Sequence, residues 1–85
     1  MQAIRVYTTS SCPYCVNAKR LLNQVGLTYE EVSLEGQPEL RAKLSQENGG
    51  YRTVPMIFIG AEFIGGFTDL KALADKGELL PKANR

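Results

Sequence analysis

Val6-Tyr7-Thr8-Thr9-Ser10-Ser11-Cys12-Pro13-Tyr14-Cys15 decides the fold. Ala3 to Thr8 carries Ile4, Val6 and Tyr7 and reads as a strand. Thr9-Ser10-Ser11 is a short polar loop. Pro13 suits a first helical position, where its missing N–H costs nothing. Ala18, Leu21, Leu22 and Val25 then recur at the spacing of one helix face. Gly26 is a good helix stop. The two cysteines are the only ones among 85 residues, and they fall at a strand-to-helix junction. In a βαβ-type chain that placement marks a dithiol redox site. Two intervening residues let the second sulfur reach the first. The helix start offers free N–H groups and the positive dipole end, which favour a thiolate at Cys12.

Working outward, Thr28–Leu34 is predicted as a second strand with Tyr29, Val32 and Leu34 as its apolar content. Strand, helix, strand implies a right-handed crossover and a parallel pair. Gly36-Gln37-Pro38 breaks the chain, and Pro38 opens a second helix carrying Leu40 and Leu44, ending near Asn48-Gly49-Gly50. Met56-Ile57-Phe58-Ile59 and Glu62-Phe63-Ile64 flank Gly60-Ala61 and read as a β-hairpin. Thr68 or Asp69 is expected to cap a last helix with Leu70, Leu73 and Ala74 inside. The tail from Leu80 to Arg85 is expected to fray. The predicted order is β-α-β-α-β-β-α: a single α/β domain over residues 1–85, with a thioredoxin-like four-stranded mixed sheet flanked by three helices.

Composition narrows the function classes. Net charge is +1, with ten Lys and Arg against nine Asp and Glu, so nucleic-acid binding has no electrostatic support. The N-terminus reads as a strand, not a signal peptide, and no apolar run approaches the roughly 20 residues of a membrane span. A cytoplasmic location in a reducing compartment is expected, where a lone cysteine pair is catalytic or metal-binding before it is structural. There is no histidine. A Cys–His nucleophile pair is therefore excluded, and two cysteines alone do not fill a tetrahedral zinc site. No metal is expected.

Three separated motifs, Cys12-Pro13-Tyr14-Cys15, Thr53-Val54-Pro55 and Gly65-Gly66-Phe67-Thr68-Asp69, together resemble the glutaredoxins, in particular the small bacterial dithiol type. The likeness covers essentially the whole chain. It implies a monomeric glutathione-dependent oxidoreductase acting on protein disulfides and glutathionylated proteins. Ribonucleotide reductase is a family-level candidate target. Glutathione would be the reducing co-substrate. Cys12 would be the nucleophile and Cys15 the resolving thiol, with Tyr14 beside the glutathione site. Sequence alone favours a trans Pro55 that merely opens a strand; the resemblance reverses this to cis. A cis bond would turn the Val54 backbone outward to pair with the cysteinyl part of glutathione. Gly66, Thr68 and the helix start would hold the γ-glutamyl carboxylate, and Asp69 the γ-glutamyl amine. Arg52, next to Thr53, would face the glycyl carboxylate.

Two positions depart from the family pattern. Thr9 stands where many members have lysine, and Tyr51 where some have glutamine. Both changes imply a weaker hold on the glycyl end or a less acidic Cys12, with Lys19 as a substitute cation. Two other readings compete. An iron–sulfur cluster carrier would share Cys12 and glutathione between two chains, but Pro13 and Tyr14 disfavour it. A thioredoxin-like donor would be reduced by a flavoenzyme, but the Pro-Tyr pair and the Gly-Gly turn disfavour that.

Overall fold

The computed structural model describes residues 2–85, so Met1 lies outside it. Four strands, β1 (Ile4–Thr8), β2 (Glu30–Ser33), β3 (Met56–Ile59) and β4 (Glu62–Gly65), form one sheet in the order β2-β1-β3-β4. β1 runs parallel to β2 and antiparallel to β3, and β3 runs antiparallel to β4 with a register shift at Ile57/Phe58. The sheet is mixed, and the topology is thioredoxin-like.

Side chains alternate across a strand, so each strand feeds two faces. Ile4, Val6, Ile57 and Ile59 enter one core with Ala18, Leu22 and Leu70. Tyr7 and Met56 enter the other with Leu34 and Leu44. Helices α1 (Pro13–Gln24) and α3 (Phe67–Asp75) pack together over the first face. Helix α2 (Pro38–Glu47) covers the second through Leu44 and Leu40.

Helix α1 starts at Pro13 as its sequence requires. It stops in a two-bond cap: Leu27 N–H donates to Leu22 C=O (3.0 Å) and Gly26 N–H to Asn23 C=O (3.1 Å). Gly26 adopts φ +77°, which a glycine takes without the Cβ penalty.

Three predicted boundaries move. β2 is shorter than Thr28–Leu34. Helix α3 begins at Phe67, ahead of the expected Thr68 or Asp69 cap. Gly66 is the N-cap, and the Asp69 carboxylate reaches back to accept the Gly66 N–H at 3.0 Å. The tail does not fray as expected. Leu79–Ala83 forms a fourth helix, α4, beyond the predicted three, with Leu79 and Ala83 buried in the first core. Gln2 N–H donates to Ala83 C=O at 2.7 Å and ties this end to the opposite terminus.

Candidate active site

Cys12 is the N-cap of α1, in extended conformation (φ −133°, ψ 97°). Cys15 lies one turn in. The two are joined by a disulfide, with their Cα atoms 5.2 Å apart. Cys12 is 9% exposed and Cys15 2% exposed, so the first sulfur is the one an incoming group can reach. The Cys12 sulfur accepts the Cys15 N–H at 3.1 Å. In the reduced protein the same N–H, with the unpaired amides of the helix start, favours a thiolate there.

Two carboxylates, Glu31 and Glu35, fasten the chain that leads into Cys12. The hydroxyl of Thr8, a buried residue, donates to Glu31 at 2.8 Å, and Lys19 donates to the same oxygen at 3.0 Å. Both interactions hold the Glu31 carboxyl below its ordinary value of 4.5, the Lys19 contribution being the larger. Ser10 gives Glu35 two hydrogen bonds of 2.9 Å, one from its backbone N–H and one from its hydroxyl. These lower the Glu35 carboxyl as well, the backbone bond first, with Arg41 adding a smaller pull. Lys19, expected as a substitute cation for the thiolate, is paired with Glu31.

The Val54–Pro55 peptide is cis. The Val54 carbonyl oxygen lies 3.5 Å from the Cys12 sulfur, which brings the second predicted motif against the first. Beside this contact opens a cleft of about 270 Å³, lined by Tyr14, Tyr51, Thr53, Val54, Pro55, Gly66, Phe67 and Thr68. Six of these were predicted: Tyr14, Thr53, Val54, Pro55, Gly66 and Thr68. Tyr14, 60% exposed, forms one lip and stacks on Phe67 with ring centroids 6.3 Å apart. Asp69 stands behind the turn, its carboxylate against Gly65 and Gly66. Arg52 is exposed at the rim and does not line the cleft; its carbonyl accepts an Arg41 N–H at 3.0 Å.

Sequence reasoning tied position 51 only to the glycyl end and quoted Phe67 only within the third motif, assigning neither to the cleft wall, and it missed the carboxylates that hold Thr8 and Ser10. Phe67 carried a signal, as an apolar residue at a helix start beside a double glycine. Among the described residues, no group of three or more His, Cys, Asp or Glu is placed to hold a metal ion. No described helix is long and apolar enough to cross a membrane. A larger hollow of about 590 Å³ runs between Arg5, Tyr7, Glu30, Leu44, Glu47 and Phe58, among others, and holds neither cysteine.

The family model described as Glutaredoxin matches residues 4–64, which span both cysteines and the cis proline. A glutaredoxin of Pseudomonas aeruginosa is 46% identical over 79 residues, covering 93% of each chain. Glutaredoxin 3 of Escherichia coli K12 is 41% identical over 81 residues, covering 95% of this chain and 96% of that one. Among solved structures, a buckwheat glutaredoxin–glutathione complex superposes with TM-score 0.91 at 31% identity, over 98% of this chain and 77% of that one. The solution structure of a Brucella melitensis glutaredoxin gives TM-score 0.86 at 40% identity, over all of this chain and 94% of that one. A thioredoxin-like sheet, a cysteine pair closed at a helix start and relatives matched along nearly the whole length agree: this chain belongs to the glutaredoxin family of thiol–disulfide oxidoreductases.

Proposed function

We propose that the protein uses glutathione to reduce protein disulfides and glutathione mixed disulfides. The observation that carries this is the 3.5 Å approach of the Cys12 sulfur to the Val54 carbonyl, beside a cleft of about 270 Å³. A relative of the same fold is known as a glutathione complex.

In this reading the Cys12 thiolate attacks the glutathione sulfur of a glutathionylated protein. The protein thiolate leaves, and Cys12 carries glutathione as a mixed disulfide. A second glutathione thiolate attacks that glutathione sulfur, giving oxidised glutathione and restoring Cys12. On a protein disulfide, Cys12 forms a mixed disulfide with one protein sulfur. Cys15 then attacks Cys12, releases the protein dithiol and closes the Cys12–Cys15 bond. Two glutathiones reopen it: the first forms the Cys12 mixed disulfide and frees Cys15, and the second leaves as oxidised glutathione.

The proposed glutathione contacts follow the cleft. Thr53, Val54 and Pro55 hold the cysteinyl part through backbone pairing, as an added strand segment does. Gly66 lets the γ-glutamyl carboxylate approach the start of α3 closely, Thr68 receives it there, and Tyr14 covers the thiol from the lip. One oxygen of Asp69 is occupied by Gly66 N–H, and the other is assigned to the γ-glutamyl amine. Arg52 supplies a rim charge toward the glycyl carboxylate. Residues 1–85 act as one monomeric domain in a reducing cytosol.

The test is the identity of the reductant. The oxidised protein is incubated with glutathione in one arm and with NADPH plus a thioredoxin-type flavoenzyme in the other, and its dithiol is trapped by alkylation. Reduction by glutathione alone supports the reading. Reduction only in the flavoenzyme arm overturns it in favour of a thioredoxin-like donor.

A further inference from the structure

Tyr51 is partly buried and forms one wall of the cleft. Its ring meets Phe63 edge-on at 5.1 Å, which fixes where its hydroxyl can go. That hydroxyl stands over Gly66. A Cβ placed on Gly66 would come within 2.5 Å of the Tyr51 oxygen and 3.6 Å of the Pro55 carbonyl oxygen. Tyr51 therefore bridges the cis-proline loop, two residues ahead of Thr53, to the turn that opens α3. No hydrogen bond among the described residues engages this hydroxyl.

The first amides of α3 make no bonds within the helix, as at any helix start. The Gly66 N–H is already taken by Asp69, which leaves those of Phe67 and Thr68, two residues of the cleft lining. None of the residues lining the cleft is charged. An anionic group entering here meets only neutral donors. A single-charged carboxylate suits such a set better than a dianionic phosphate, whose desolvation calls for cationic partners.

We infer that Tyr51 is a substrate-specificity residue whose hydroxyl donates to the α-carboxylate of a γ-glutamyl thiol held at the start of α3. This rests on the glutathione reading above and adds to it a donor from the opposite wall of the cleft. A side chain on Gly66 would have to displace the Tyr51 hydroxyl.

The experiment compares the parent with Tyr51→Phe on two glutathione-type substrates. One is a glutathionylated peptide. The other is the same peptide carrying 4-aminobutyryl-cysteinyl-glycine, which keeps the amine and lacks the α-carboxylate. Tyr51→Phe is expected to lower kcat/KM about tenfold on the first, mainly through KM, in keeping with a lost hydrogen bond to a charged group. On the second it changes kcat/KM less than twofold. Equal losses on both substrates, or no loss on either, overturn the inference, since a purely structural tyrosine does not distinguish them. A parent that turns over neither substrate fails at the glutathione reading itself, and the Tyr51 role falls with it.

Discussion

Gly65 is the residue where backbone and site are most tightly coupled. It holds φ +120°, and a Cβ there would collide with the Asp69 carboxylate. Gly65→Ala is expected to cost about 1–3 kcal/mol from the backbone conformation alone. Displacement of Asp69 would also free the Gly66 N–H that it caps. The check is a urea unfolding curve; an unchanged midpoint would show that the turn relaxes without loss. Arg52 makes the contrasting case. It is exposed and sits outside the cleft lining, so its pull on a bound carboxylate is screened by solvent. Arg52→Ala is expected to lower kcat/KM for a glutathionylated peptide only about two- to threefold at low salt. The difference should vanish in about 0.5 M salt, where the screening length falls to a few ångströms. A large, salt-insensitive loss would instead put the guanidinium in direct, desolvated contact.

At the scale of elements, the segment entering Cys12 is held by carboxylates on and just beyond β2. Thr8 and Lys19 meet at Glu31, and Ser10 meets Glu35. Both carboxyls titrate below their ordinary 4.5 in the folded chain. Folding therefore gains from these contacts above about pH 4.5. The gain is lost as the pH falls through the lower folded values, because the unfolded chain takes up the protons first. Replacing Glu31 with Gln should flatten the fall in stability below about pH 4.5, with Glu35 supplying part of the fall that remains. Urea midpoints at a series of pH values check this, and a slope identical to the parent's would remove Glu31 from the account. The same elements show what was legible in the sequence. Helix α1 was readable because its apolar positions repeat at 3.6 residues and Pro13 and Gly26 mark both ends. The three motifs contain seven of the eight cleft residues, six of them assigned to the site from sequence and Phe67 not. Tyr51 was not readable as a cleft wall, because its position depends on Phe63 in a strand twelve residues away. The Ser10–Glu35 pair spans 25 residues and depends on where β2 ends. Helix α4 was hidden for a third reason. Five residues containing Pro81 do not sustain a helix alone, and burial of Leu79 and Ala83 supplies what local propensity lacks.

At the scale of the whole molecule, the two core layers meet at the sheet, and α4 seals the first one. Leu79 is 2% exposed and belongs to the first core. Leu79→Ala is expected to destabilise the protein by about 2–5 kcal/mol, a large share of what an 85-residue chain holds. Thermal or urea unfolding reads it directly; a loss under about 1 kcal/mol would make the fourth helix dispensable. The site lies where α1, the cis-proline loop and the start of α3 converge, so the fold brings the cysteine pair, the Val54 carbonyl and an uncharged cleft together. In the proposed cycle Cys12 performs the exchange with glutathione and Cys15 only resolves it. The most direct measurement is turnover of a glutathionylated peptide with glutathione as reductant, comparing the parent with Cys12→Ser and Cys15→Ser. The expected result is no activity without Cys12 and retained activity without Cys15. Activity that survives Cys12→Ser, or a parent inactive with glutathione, would contradict it.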